Sequence, residues 1–284
     1  MPALSRNAVL PLIQQALRED AASQDVTSRA VLPEATRIKA RVIAKTQGML
    51  AGGPVAVWTF QALDALLRCT LQTQEGASLT RGHQILTVEG RARSILAAER
   101  TALNLLGHLS GIATLTHAFV ERTRGTRARI YDTRKTLPGL RLLEKYAVRM
   151  GGGETHRGDL SEAILIKTNH LRVLNQGNFA ATIQQAVLKA RQVKPKKFVE
   201  VEVTTFREFE AALGAGPDAI LLDNWQPDEI QEAALRRSSK ILLEASGGVT
   251  LDNVQAIART GVDRISIGRL THSAPTLDIS LEVT

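Results

Sequence analysis

The chain has 284 residues, 44% of them hydrophobic and 23% charged, which suits one large core or a barrel beside a smaller domain and excludes a disordered chain. Thirty-six Lys and Arg against 28 Asp and Glu leave a formal charge of +8. The one cysteine, Cys69, rules out a disulfide within the chain and suits a reducing cytoplasm.

Cys69 sits among Leu66, Leu67 and Leu71, which predicts a buried core thiol. The opening stretch, MPALSRNAVLPLIQQALRED, lacks the basic start and apolar run of a signal peptide. No 18-residue window is apolar throughout, so no membrane partner is expected. The charge admits three readings: a basic protein without a special partner, a nucleic-acid binder, or a protein with a small anionic substrate. Residues 127–167 hold nine Lys or Arg and five Asp or Glu, half of the whole excess. Only Tyr131 and Tyr146 lie within that cluster, and aromatics are 4% overall, which argues against a nucleic-acid partner.

Residues 4–20 are predicted as an amphipathic helix with Leu10, Ile13 and Leu17 on one face. RIKARVIAKT (37–46) alternates as a half-buried strand does. GMLAGG (48–53) predicts a turn into a helix near 54–68, and 71–95 reads as short strands broken by Gly76, Gly82 and Gly90. A long helix follows from about Ser94 to Thr123, with Leu96, Leu103, Leu106, Leu109, Ala113 and Phe119 as its apolar face. Arg100, Asn104, His108 and Gly111 share one stripe of it, and Gly107 and Gly111 would let another element approach closely.

After Gly125 six short apolar runs appear: ARIYDT (128–133), AILIKT (163–168), FVEVEV (198–203), AILLDN (219–224), ILLEAS (241–246) and RISIG (264–268). Helix-length segments at 177–193, 205–213, 226–237 and 250–260 separate several of them, so parallel βαβ units and an α/β barrel are expected. Arg134, Lys135, Lys167, Asp223, Ser246, Gly247, Gly248, Gly268 and His272 fall at or just after the strand ends, where barrel enzymes gather their sites. Glu200 and Glu202 point to one side of their strand and Val199, Val201 and Val203 to the other. Two carboxylates facing a packed interior need basic partners, for which Lys135 and Lys167 are candidates, or a cation such as Mg²⁺. SGG (246–248), before a helix expected near Thr250, offers backbone N–H groups to a phosphate, or is an ordinary turn. The run Gly151–Gly153 implies a sharp bend or a close approach.

DTRKTLPGLRLLEKYAVRMGGGETHRGDLSEAILIKTNH (132–170) resembles the signature of the quinolinate phosphoribosyltransferases, the decarboxylating enzymes of NAD biosynthesis. ALREDAASQDVTS (16–28), GMLAG (48–52), ERTALNLLGHLSGIAT (99–114), VEVEV (199–203), LLDN (221–224), EASGG (244–248) and ISIGRLTHS (265–273) extend the resemblance along the chain. It implies an open α/β barrel of six or seven parallel strands over 113–273 and an N-terminal α/β sandwich over 1–112, completed by the tail 274–284. It implies a pentosyltransferase that converts quinolinate and phosphoribosyl pyrophosphate to nicotinate mononucleotide, pyrophosphate and CO₂ with Mg²⁺. Carried over by position, Arg134, His156, Arg157 and Lys167 would bind the quinolinate carboxylates, and Arg100 would serve a neighbouring subunit of a homo-oligomer such as a homodimer. Lys135, Glu202 and Asp223 would hold the ribose, pyrophosphate and metal, with Glu202 and Asp223 as the metal ligands and Lys135, Lys167, Glu202 and Asp223 as the catalytic set. Ser246, Gly247, Gly248 and Gly268 would meet the 5′-phosphate, and Thr133, Arg269, Leu270 and His272 complete the substrate-binding set.

The chain departs from the family pattern at Thr155, where Asn is usual, at Thr168, where an acidic residue is usual, and at Arg269, where a small residue is usual. A related branch linked to molybdate transport shares the fold, but the retention of Lys167 argues against it. A non-catalytic binding protein on the same fold is the alternative from another class.

Overall fold

The computed structural model describes residues 4–174, 177–237 and 240–284. In chain order, α1 (Arg6–Glu19), α2 (Val26–Val31), β1 (Arg37–Ala44), β2 (Gly48–Met49), α3 (Gly53–Leu63), β3 (Arg68–Leu71), β4 (Ser78–Leu79) and β5 (Gln84–Arg91) precede the long α4 (Ala92–Arg122). Then come β6 (Arg129–Tyr131), α5 (Arg141–Met150), β7 (Ile164–Ile166), α6 (Thr168–Leu174), α7 (Phe179–Arg191), β8 (Val199–Val203) and α8 (Phe206–Ala215). The chain closes with β9 (Ala219–Asp223), α9 (Pro227–Arg236), β10 (Leu242–Ser246), α10 (Val254–Arg259), β11 (Arg264–Ser266), α11 (Arg269–His272) and β12 (Ile279–Val283). Two compact units result: Met1–His117 with Thr136–Gly152 and Arg269–Thr284, and Ala118–Lys135 with Gly153–Gly268. Among the described residues no helix is long and apolar enough to cross a membrane.

The first unit is built on an antiparallel sheet of order β12-β1-β5-β3, in which the C-terminal strand pairs Val283 with Ala40. The apolar stripe of α1 is Val9, Ile13 and Leu17, one residue round from the predicted Leu10. The helix predicted to reach 68 ends at Leu63, and Cys69 lies half-buried in β3 rather than in the core; burial raises its thiol pKa to about 11. Gly90 does not break a strand but lies within β5, where a Cβ would meet Leu67 at 2.5 Å.

Helix α4 buries Leu103, Leu106, Leu109, Ala113 and Phe119. Its polar positions fasten the neighbouring turn: the Met49 N–H donates to Thr114 Oγ1 at 2.8 Å, and the Ala51 N–H to Ser110 Oγ at 3.1 Å. The close approach expected at Gly107 and Gly111 is made by the 275–277 segment, whose Leu277 N–H donates to Gly107 O at 3.0 Å. A Cβ at Gly111 would lie 2.0 Å from Pro275 O. Gly151, from the triple glycine, approaches the same helix, and its Cβ would lie 2.4 Å from Ala113 O.

The second unit is a single parallel sheet of order β6-β11-β10-β9-β8-β7, an open α/β barrel in which all six predicted strands form. A lone parallel bridge between Tyr131 and Glu154 extends it by one residue pair beyond β6. Register and the two-residue period sort the side chains by face. One face carries only apolar groups, among them Val199, Val201, Val203, Ile220, Leu222, Leu243 and Ile265, and α7 and α8 pack on β8. The other face carries three rows. The lowest is Leu165, Glu200, Ala219 and Leu242. The next is Glu202, Leu221, Glu244, Arg264 and Arg129, and the row at the C-terminal ends is Asp223, Ser246, Ser266 and Tyr131. Polarity therefore rises toward the end where the strands deliver their chemistry.

A glycine inside a helix costs about 1 kcal/mol relative to alanine, so Gly111 is kept for contact, not propensity. Gly111→Ala is expected to lower unfolding free energy by about 1–3 kcal/mol through overpacking against Pro275, despite the gain in helix propensity. Urea melts of the two proteins check this.

Candidate active site

The interior of the barrel is organised around His156. Its backbone N–H donates to Asp132 Oδ1 at 2.8 Å, just past β6. Its Nδ1 lies 2.8 Å from the Arg157 backbone N–H. An amide can only donate, so Nδ1 carries no proton, and the ring proton of the neutral imidazole sits on Nε2. Nε2 donates to Glu200 Oε2 at 3.0 Å and stands 3.5 Å from Glu244 Oε1. Glu244 in turn accepts from Ser266 Oγ at 2.5 Å, and Arg264 Nη1 lies 3.9 Å from its other oxygen. Arg264 also stacks over Tyr131 and Phe198 at 5.0 Å from each ring centre.

Both carboxyls are almost wholly buried, Glu200 at 1% and Glu244 at 0% exposure. Burial pushes the pKa of Glu200 up to about 7, opposed chiefly by the charge of Arg264. Burial and then the charge of Glu200 push Glu244 to about 8. The pair therefore holds a proton at neutral pH. His156, Glu200 and Glu244 offer ligand atoms within 4.8 Å of one another. A metal on Nε2 would need the ring proton on Nδ1, where the Arg157 amide already points. The cluster suits a proton and not a metal.

At the strand ends a second group forms. Lys167 Nζ, after β7, lies 3.4 Å from Glu202 Oε2, and the Thr168 N–H and Oγ1 donate to Glu202 Oε1 at 3.1 and 2.9 Å. The threonine that replaces the usual acidic residue thus orients Glu202 from the side opposite the lysine. Asp223 closes β9, where burial and then the charge of Glu202 raise its carboxyl pKa, with Lys167 and Lys135 opposing. Of the partners expected for the two inward glutamates, Lys167 pairs with Glu202, while Glu200 is bonded by His156. Arg157 donates from Nη1 to Ala163 O at 3.0 Å, and burial followed by the positive charge of Arg134 lowers its pKa. Lys135 is exposed, and its N–H donates to Thr133 Oγ1 at 3.0 Å.

The SGG turn after β10 is more constrained than an ordinary one. Gly247 has φ +91°, and a Cβ there would lie 2.2 Å from Asn224 Oδ1. Asn224 itself has φ +62° and donates its N–H to Ser246 O at 2.8 Å, so the turns after β9 and β10 interlock. Gly248 has φ +60° with nothing within 4 Å of its Cβ position, so its backbone borders open space. Helix α10 starts at Val254, not near Thr250, because the Asn253 side chain accepts the Thr250 N–H at 2.8 Å and holds 250–253 as a turn. Gly268 follows β11 within this unit.

Arg100, Arg269, Leu270 and His272 belong to the other unit. Arg100 and Arg269 are exposed, Leu270 is buried, and His272 Nδ1 lies 2.6 Å from Ser273 Oγ. The predicted stripe on α4 divides: Arg100 and Asn104 face solvent, whereas His108 Nε2 meets buried Glu144 Oε1 at 2.9 Å. Glu244, Arg264 and Ser266 escaped the sequence reading. The one available signal was a lone carboxylate inside an apolar strand.

Parallel strands that deliver guanidinium, ammonium and carboxylate groups and glycine turns to one end define a barrel protein built for a small polyanion. The models of the quinolinate phosphoribosyl transferase N-terminal and C-terminal domains match residues 25–110 and 112–282. The nicotinate-nucleotide pyrophosphorylase [carboxylating] of Mycobacterium leprae is 41% identical, over 98% of this chain and 98% of that protein. The crystal structure of NadC from Streptococcus pyogenes superposes with a TM-score of 0.93 at 38% identity, covering 100% of this chain and 99% of that one. The nicotinate-nucleotide pyrophosphorylase of Francisella tularensis gives 0.91 at 37% identity, over 99% and 98% of the two chains. The chain belongs to the quinolinate phosphoribosyltransferase family.

The buried pair also sets a pH dependence. Native Glu200 and Glu244 hold protons that the unfolded chain has lost above about pH 4.5, so native protein binds more protons in that window. Stability from this source is full below that pH and is lost as pH rises through about 7 and about 8. Glu244→Gln cannot ionise. Its melting temperature is expected to fall less than that of the unaltered protein between about pH 5 and 9, which calorimetric melts would measure.

Proposed function

We infer that this protein carries out decarboxylating phosphoribosyl transfer in NAD biosynthesis, converting quinolinate and phosphoribosyl pyrophosphate to nicotinate mononucleotide, pyrophosphate and CO₂. The observation that carries this reading is the pairing of a guanidinium-rich side, Arg134 and Arg157, with a carboxylate side, Glu202 and Asp223, in one barrel whose family is named for this substrate.

Each side has its task. Forked donors on Arg134 and Arg157, with Lys167, bind the two quinolinate carboxylates, while His156, expected from the sequence as a further ligand, has both ring nitrogens engaged by Glu200 and the Arg157 amide and supports Arg157 instead. The ring nitrogen takes the ribose carbon as the bond to pyrophosphate breaks, and positive charge gathers on the ribose ring. Glu202 and Asp223 stabilise that charge, while Lys135 neutralises the departing pyrophosphate. The carboxylate beside the now cationic nitrogen then leaves as CO₂, and a proton takes its place on carbon. Ser246, Gly247, Gly248 and Gly268 receive the ribose 5′-phosphate, and the open space beside Gly248 supports this. Thr133 belongs to the substrate-binding set without that role. Arg269, Leu270 and His272 complete the substrate contacts.

Glu202 and Asp223 fit Mg²⁺, a hard cation that takes carboxylate oxygens, and Asp223, raised by burial and then by the charge of Glu202, stands where added positive charge is favoured. Bound there, Mg²⁺ would neutralise the pyrophosphate. The protein is a homo-oligomer in which Arg100 serves the neighbouring subunit, a role its exposure supports. It works in the cytoplasm, and the single cysteine suits that compartment.

Purified protein with Mg²⁺ is expected to release CO₂ from quinolinate only when phosphoribosyl pyrophosphate is present. Turnover of nicotinate without CO₂ would overturn the reading. Asp223→Asn should lower kcat about 100-fold, as loss of one stabilising charge does. Arg100→Ala and Lys135→Ala should each be nearly inactive, and mixing them should restore part of the activity once subunits exchange. No recovery after exchange would count against a shared site.

A further inference from the structure

The roles above leave Glu200 and Glu244 unused, although they are among the most deeply buried charged groups of the barrel. A buried carboxyl with no task is costly, so its bonds should say what it does. Glu200 bonds the one atom of His156 that can still donate. Two backbone bonds flank it on the turn at 156–157. They run from the His156 N–H to Asp132 and from the Arg157 N–H to His156 Nδ1. Rotating the imidazole by half a turn would carry Nδ1 away from the Arg157 amide and leave that amide without its acceptor. Glu200 prevents this by accepting from Nε2, and Glu244 closes the same side at 3.5 Å while Ser266 holds it in place. The ring is thus locked between a backbone donor and a carboxylate acceptor, and the direction in which Arg157 leaves the turn is locked with it.

We propose that Glu200, backed by Glu244, is a positioning residue that fixes His156 as its Nε2–H form and thereby aims Arg157 at the quinolinate carboxylates. This rests on the reading of Arg157 as a carboxylate ligand. Glutamine at position 200 would still accept from Nε2 through its amide oxygen, whereas alanine would not. The acceptor side of the site should therefore feel Glu200 and the ribose side should not.

The test uses calorimetry and NMR, neither of which needs turnover. Glu200→Ala is expected to weaken quinolinate binding about tenfold or more, as loss of a buried orienting partner typically does, with phosphoribosyl pyrophosphate binding unchanged. Glu200→Gln should restore quinolinate affinity most of the way. In ¹⁵N-histidine spectra of the unaltered protein, His156, assigned from its loss in His156→Gln, should show a protonated Nε2 and a bare Nδ1. Glu200→Ala should mix the two forms. Equal quinolinate affinity in Glu200→Ala, or equal weakening for both substrates, would overturn the proposal. So would a protonated Nδ1 in the unaltered protein, a result available even if Glu200→Ala does not fold. Failure of the proposed activity looks different: the spectra would stand as described while quinolinate released no CO₂.

Discussion

The hydrogen bond from the Arg157 amide to His156 Nδ1 is the contact from which the interior of the barrel takes its charge. Because an amide cannot accept, the imidazole is neutral and its proton faces Glu200. Because that proton is shared out to a carboxyl, Glu200 and Glu244 can sit together in a region where two bare carboxylates would be unstable. Arg264, stacked over Tyr131 and Phe198, reaches Glu244 at 3.9 Å, and its charge opposes the rise of both carboxyl pKa values. One amide therefore propagates across β8, β10 and β11.

The same parallel sheet separates two electrostatic tasks, although Glu202 and Glu244 share its middle row. The buried His156–Glu200–Glu244 cluster holds its proton inside the protein. Lys167, Glu202 and Asp223 are partly open to solvent, where charge is available to a substrate. Thr168 illustrates how the second group is tuned: its two bonds to Glu202 leave one carboxylate oxygen toward Lys167.

Much of this was legible in the sequence because a parallel strand buried on both faces reads as a short apolar run. All six runs became strands, and the inward direction of Glu200 and Glu202 followed from their spacing. Periodicity gives a side chain's face but not its neighbour. Lys167 pairs with Glu202 as foreseen, but the partner of Glu200 is a histidine from a loop 44 positions earlier. Glu244 was hidden for the same reason, since its neighbours Ser266 and His156 come from other segments. Helix α10 began four residues late because a side-chain bond between Asn253 and Thr250, which propensity does not register, captured the first turn. Gly107, Gly111 and Gly151 were legible as sites of close approach, though the chain that approaches Gly107 and Gly111 lies more than 150 residues away in sequence.

In the proposed reaction a guanidinium side and a carboxylate side of one barrel divide the two substrates between them. A crystal structure of the protein with quinolinate bound would show whether they do. Both quinolinate carboxylates are expected within hydrogen-bond distance of Arg134, Arg157 or Lys167, with the His156 ring still donating to Glu200. Quinolinate lying against Glu202 and Asp223, or at the SGG turn, would overturn that division.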